Sequence, residues 1–277
     1  MKHASLLGLV PLALYLGAFT LVPVVSTLVL SFRTPEGQWG LGAFRALAAH
    51  YQFGDAVVNT LAITGLGLVM ELSLGLAAAM ALAGRFRGQG LVRVLLLIPL
   101  GVPTIVAAST MRYVFGMVGY LNEVLYRLGL LTLPIDWTGS RGLAVITVAL
   151  ADAWKVTPLV MLIFLAGLQA IPREIYEAAR TDGAGPWQQF WRITLPLLRP
   201  ALTMAFILRG VDAFRIFALP LALVGRHLPV LSTFAYVEYL EYGNPHTSAA
   251  SSALLLVMVV ITIGAYLRLA GSEEVVR

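Results

Sequence analysis

Ile171-Pro-Arg-Glu-Ile-Tyr-Glu-Ala-Ala-Arg-Thr-Asp-Gly-Ala-Gly-Pro-Trp-Gln-Gln-Phe-Trp-Arg-Ile-Thr-Leu-Pro-Leu-Leu-Arg-Pro200 is a polar passage between two long apolar runs, 143–169 and 202–224. It is punctuated like ordered structure. Pro172 suits the first turn of a helix, where its missing N–H costs nothing, and Gly183 suits the left-handed residue that ends one. Pro186 starts a second short helix and Pro196 ends it. In the first helix Ile175, Ala178 and Ala179 share one face at helical spacing, edged by Arg173, Glu174, Glu177 and Arg180. A small apolar face with charged edges suits docking into a groove of another protein. An amphipathic helix lying on lipid is the competing reading. It asks for bulky apolar residues and many lysines, where this helix offers two alanines and mixed charge.

Working outward, four more apolar runs join the two that flank the passage: 5–32, 56–83, 91–115 and 248–269. A helix needs about 20 such residues to cross a bilayer. Barrel strands alternate in polarity over about ten residues, and these runs do not. Backbone polar groups in lipid must bond within their own segment, so the expected fold is all-α: a polytopic membrane protein of six transmembrane helices. Composition agrees. Of 277 residues, 59% are hydrophobic and 12% charged, against about 25% charged in a soluble domain, and the mean hydropathy is +0.85. The first run exceeds a signal-peptide core and lacks a clear cleavage site, so it reads as a retained first helix.

The formal charge of +5 does not point to nucleic acid, because the basic residues cluster in short loops between apolar runs. That pattern is the positive-inside bias. With the N-terminus inside, Lys2, Arg85, Arg87, Arg93, Arg173, Arg180, Arg192, Arg199, Arg268 and Arg277 are cytoplasmic, and Arg33, Arg45, Arg127, Arg141 and Arg226 are external. The first set is twice the second. Both termini and the 171–200 loop are therefore expected in the cytoplasm. With no cysteine and four scattered histidines, disulfides, thiol catalysis and zinc sites are not expected.

Glu177-Ala178-Ala179, three residues, Gly183, nine residues and then Ile193-x-Leu195-Pro196 resembles the EAA loop of ABC importer permeases, with Asp182-Gly183-Ala184 inside it. Val58-Asn59-Thr60-Leu61 resembles that family's entry to its core domain of five helices, while Leu97-Ile98-Pro99, Ala153-Trp154-Lys155-Val156-Thr157-Pro158, Phe164-Leu165-Ala166-Gly167-Leu168-Gln169, Asp182-Gly183-Ala184 and 203–217 are similar to its carbohydrate branch: maltose, trehalose and glycerol-phosphate permeases. The chain departs from that pattern after Arg215-Ile216-Phe217, where Ala218 stands in place of the usual aspartate. The resemblance implies the type I importer fold, with a first helix and external linker (1–54), a core domain of five helices (55–270) and a tail (271–277). It also implies an ATPase-docking set of Glu177, Ala178, Ala179, Asp182, Gly183, Ile193, Leu195 and Pro196. The implied partners are a second permease, two ATP-binding subunits that use ATP and magnesium, and an extracytoplasmic binding protein. The implied solute is a sugar such as trehalose or maltose. The resemblance implies a place in a bacterial or archaeal cytoplasmic (inner) membrane.

Besides Arg93 and Arg268 at the cytoplasmic ends of their runs, seven ionisable residues fall inside the apolar runs: Glu71, Arg112, Asp152, Lys155, Arg209, Asp212 and Arg215. A charge at membrane depth costs at least ~2.5–3.5 kcal/mol, so it pairs or lines a watery cavity. Asp152–Lys155, Arg209–Asp212 and Asp212–Arg215 each stand three apart, on one helical face. Two readings follow: paired charges that fix packing, or a path in which Asp152, Lys155, Asp212 and Arg215 meet sugar hydroxyls and Trp154 stacks on a ring. An ion-coupled secondary transporter could use Glu71, Asp152 and Asp212 as protonation sites, but it leaves the docking loop unexplained. The chain carries no H-E-x-x-H, G-x-S-x-G or G-x-x-x-x-G-K-[ST] motif, so no catalytic group or cofactor is expected in it, and any ATP is hydrolysed by another chain.

Overall fold

The structure is a computed structural model that describes residues 11–271 other than 13 and 85. Expectations for Lys2, 5–10, Arg85 and 272–277 lie outside the described residues. The helices, in chain order, are α1 Leu14–Ser31, α2 Gly42–Ala49, α3 Phe53–Ala83, α4 Gln89–Gly101, α5 Thr104–Val114 and α6 Tyr120–Arg127. They continue with α7 Arg141–Gln169, α8 Arg173–Thr181, α9 Pro186–Leu197, α10 Arg199–Phe214, α11 Ala218–Leu223, α12 Leu231–Leu240 and α13 Pro245–Gly271. Among the described residues the one extended pairing is an isolated bridge between Arg33 and Trp39.

Among the described residues four helices are long and apolar enough to cross a membrane: α1, α3, α7 and α13. Two bent pairs raise the total to as many as six. The expected third run, 91–115, is not one straight helix but α4 and α5 meeting at 102°. Val102, the residue before Pro103, is driven out of the helical region to φ −77°, ψ 127°, the steric effect of a following proline ring. The expected fifth run, 202–224, also divides. The α10 helix stops at Phe214, and Phe217 takes φ −133°, ψ −64° before α11 begins. The α9–α10 bend is 63°.

Prolines inside the helices do not all break them. Pro158 lies within the continuous α7. Pro196 does not end the second short helix, which runs on to Leu197. The turn before it, Phe190–Thr194, is a wide π turn closed by Leu195 N–H on the Phe190 carbonyl. The same arrangement precedes Pro23, where Val22 N–H closes the π turn Gly17–Leu21. A proline ring clashes with the carbonyl four residues back, and the wider turn makes room for it.

The chain packs as two compact units. In the first, residues up to 57 with 229–258, Ala43 and Leu47 of α2 bury against Ala56, Leu231, Phe234, Ala250 and Leu255. His50 Nε2 lies 3.6 Å from the buried Glu238, whose other oxygen accepts from Asn244 at 3.1 Å. The second unit takes 58–228 and the end of α13. Its core joins Ala79 and Leu82 of α3, Val160, Met161 and Phe164 of α7, and Leu198 and Ala205. Backbones approach closely at two glycines. A Cβ on Gly75 would sit 2.7 Å from Val160 Cγ1, and one on Gly167 2.7 Å from both Ala201 Cβ and Leu198 Cδ1. Such small residues let helices pack where lipid supplies no hydrophobic drive. On α3 this close approach is made at Gly75, whereas Gly65 meets nothing within 4 Å.

Candidate functional site

The polar passage folds as two short helices around a tight turn. Pro172 stands at the N-cap of α8, one position before the first turn in which its sequence placed it. At the other end Gly183 takes φ +81°, a region that side chains other than glycine avoid. Ala184 N–H reaches the Ala179 carbonyl at 2.8 Å and Gly183 N–H the Arg180 carbonyl at 3.0 Å. These two bonds are the Schellman closure. Gln189 Nε2 then donates to the Ala184 carbonyl at 2.6 Å and fixes the start of α9.

This closure leaves the face of α8 open. Glu177, Ala178, Asp182 and Gly183 are exposed, Ala179 and Ile193 half-buried, and Ile175 is 38% exposed. Trp187 and Trp191 stand exposed on α9, edge to face at 5.6 Å. Leu195 and Pro196 are half-buried, and the next buried residue, Leu198, anchors the bend into the helical core.

A second constellation lies deeper in the same unit. Arg209 of α10 is 1% exposed and makes four hydrogen bonds to three carboxylates. Its Nε donates to Glu71 Oε2 at 2.7 Å and its Nη2 to Glu71 Oε1 at 3.0 Å, a bidentate fork onto α3. Nη2 also donates to Asp152 Oδ2 on α7 at 3.0 Å, and Nη1 to Asp212 Oδ2 at 2.6 Å. The cluster opens outward: side-chain exposure rises from 0% at Glu71 to 13% at Asp152 and 68% at Asp212. Such charge at membrane depth requires water or a polar partner at the open end. Asp152 and Asp212 each meet Arg209 through Oδ2, and Asp212 stands at the exposed end of the cluster.

Of the expected intrahelical pairs, Arg209–Asp212 forms, while Asp152 and Asp212 both turn to Arg209 instead of to Lys155 and Arg215. Neither Lys155 nor Arg215 makes an ion pair among the described residues. Lys155 is half-buried and Arg215 exposed at the end of α10. Sequence spacing is blind to the other two partners of Arg209, which lie 138 and 57 positions away. Trp154, 38% exposed, lines an apolar groove of about 270 Å³ with Leu95, Pro99, Thr157 and Pro158. The Thr157 hydroxyl has no hydrogen-bond partner there. Among the described residues no group of three or more His, Asp or Glu is arranged to hold a metal.

The helices and their bends are those of a multi-pass membrane protein. The profile of the family described as "Binding-protein-dependent transport system inner membrane component" matches residues 71–270. The chain belongs to that family, the non-catalytic permease subunits of ABC importers. It is 34% identical to the trehalose/maltose transport system permease protein MalF of Thermococcus litoralis, over 95% of this chain and 92% of that one. It is 33% identical to the trehalose transport system permease protein SugA of Mycobacterium tuberculosis, over 98% and 90%. Its fold, that of the type I permeases, matches a solved bacterial ABC transporter involved in importing the acidic polysaccharide alginate. The TM-score is 0.85 at 21% identity, over 98% of this chain and 96% of that one.

Proposed function

We propose that this chain carries a sugar, a disaccharide of the trehalose or maltose class, through an ATP-driven importer. The sugar arrives from an extracytoplasmic binding protein. A second, homologous permease completes the pathway, and two ATP-binding subunits dock on the cytoplasmic loop. Residues 1–54 form the first helix and external linker, 55–270 the working core, and both termini are cytoplasmic. Glu177, Ala178, Ala179, Asp182, Gly183, Ile193, Leu195 and Pro196 form the docking set. Asp152, Trp154, Lys155, Asp212 and Arg215 line the path.

The observation that carries this reading is the exposed α8, closed by the Gly183 turn and presenting Glu177 and Ala178 in a chain of this family. For the solute, the support is chemical and comparative. The carboxylates of Asp152 and Asp212 toward the exposed end of the cluster suit hydroxyl donors, an exposed Trp154 suits a pyranose face, and two relatives are named for trehalose. Alternating access then follows. Closure of the ATP-binding pair moves α8, and the cluster around Arg209 holds α3, α7 and α10 together as they reorient. The test of the solute is competition. In the reconstituted complex, unlabelled trehalose and maltose are expected to displace labelled trehalose, and alginate oligosaccharides are not. Displacement by alginate oligosaccharides alone would reassign the sugar.

A further inference from the structure

Tyr176 precedes Glu177 on α8, and its hydroxyl lies 3.0 Å from the Thr194 hydroxyl. Thr194 is 6% exposed, and it is the last residue of the π turn inside α9. Four residues on, Leu198 accepts no solvent and is buried among Ala79, Leu82 and Phe164. There the chain bends 63° into α10, the helix that carries Arg209. The order of parts is that of a lever. An exposed helix is tied by one hydroxyl pair to a wide turn, and the turn is followed by a pivot fixed in the core. Beyond the pivot lies the helix whose arginine holds two neighbours. A π turn is the compliant place in a helix and recurs at working positions, so a pull on Thr194 is taken up there and delivered to the pivot.

We propose that the Tyr176–Thr194 hydroxyl pair is the joint through which movement of the docking helix reaches α10. This rests on the proposed coupling of α8 to ATP-binding subunits. Tyr176 and Thr194 are positioning residues: they touch no solute, and the buried Thr194 is shielded from any partner. The Gly183 turn and the Gln189 bond to Ala184 set how α8 and α9 connect. The hydroxyl pair sets whether they move as one body.

The test uses the full complex in liposomes and the absence of native cysteine. Spin labels are placed on Thr181→Cys of α8 and, in a second sample, on Met204→Cys of α10, each paired with a label on Ile146→Cys of α7. All three positions are exposed. In the parent, ATP is expected to shift both distances. In Tyr176→Phe and in Thr194→Val the Thr181 shift persists. The ATP-shifted fraction at Met204 falls about fivefold, the factor that one ordinary hydrogen bond is worth. Thr194→Ser, which keeps the hydroxyl, retains the parent response, and the double variant Tyr176→Phe/Thr194→Val is no worse than either single one. A parent-like Met204 shift in both single variants would overturn the joint. So would a Thr194→Ser variant as defective as Thr194→Val, which would make the contact one of packing. If ATP moved neither label in the parent, the failure would lie with the coupling of this chain to ATP itself.

Discussion

Arg209 grips Glu71 with a two-bond fork, at 2.7 and 3.0 Å, and so joins α10 to α3 across 138 positions of sequence. The same guanidinium reaches Asp152 and Asp212, so one cation bonds three carboxyl groups. Removing one member of a buried ion pair leaves its partner uncompensated and costs about 3–5 kcal/mol. Arg209→Met is therefore expected to lower the thermal midpoint of the solubilised protein sharply. Asp212→Asn, at a carboxylate 68% exposed, is expected to change stability by less than about 1 kcal/mol. Equal losses in both variants would mean that the cluster is not anchored on Glu71.

The turn at Gly183 makes a separate demand. An L side chain in the left-handed region costs roughly 1–2 kcal/mol, and asparagine bears it better than a β-branched residue. Gly183→Val is expected to weaken capture of the ATP-binding subunit about tenfold, with Gly183→Asn close to the parent. Glu177→Lys, which inverts a charge on the exposed face, is expected to reduce capture without disturbing membrane insertion. Co-purification of the two subunits reads both effects. Parent-level capture in Gly183→Val and Glu177→Lys together would remove the loop from the docking surface.

Lys155 and Arg215 make no ion pair among the described residues, which separates them from the Arg209 cluster. If they face solute, Lys155→Met and Arg215→Gln each remove a charged hydrogen bond worth about 1.5–3 kcal/mol. Solute uptake at low concentration should then fall about tenfold or more, while assembly with partners is retained. Unchanged uptake in both would take them off the path.

The apolar runs and the two short helices of the 171–200 loop were legible from residue type alone, because hydropathy, Gly183 and Pro186 act locally. The bends were half legible. Pro103 marks the α4–α5 corner, but no residue type announces the break at 215–217, which depends on how α11 buries Leu219 and Leu223. Pro196 misled for a physical reason: a proline ends a regular α-helix, and the π turn before it removes the clash. The charge cluster was legible only where partners lie on one helix. Spacing of three paired Asp212 equally well with Arg209 and Arg215, and only packing against α3 and α7 selects Arg209.

Orientation can be read with single cysteines, since the chain has none of its own. Ser140, at the exposed N-terminus of α7, and Thr181, exposed at the end of α8, lie on opposite sides in the proposed orientation. Ser140→Cys is expected to react with an impermeant thiol reagent in intact cells. Thr181→Cys is expected to react only after permeabilisation, and less so with the ATP-binding subunit present. The reverse pattern would invert the topology and place the loop where no ATP-binding subunit can reach it.

The most direct test of the central claim, that transport through this chain is driven by ATP through the 171–200 loop, is the energy source of uptake. The chain is placed in liposomes with a homologous permease, the ATP-binding subunits and the binding protein, and labelled trehalose and maltose are supplied outside. Uptake is expected to require ATP on the side of the loop and binding protein on the other, and to survive collapse of the proton and sodium gradients. Uptake by this chain alone, driven by an ion gradient and indifferent to ATP, would contradict the account and make Glu71, Asp152 and Asp212 the protonation sites of a secondary transporter.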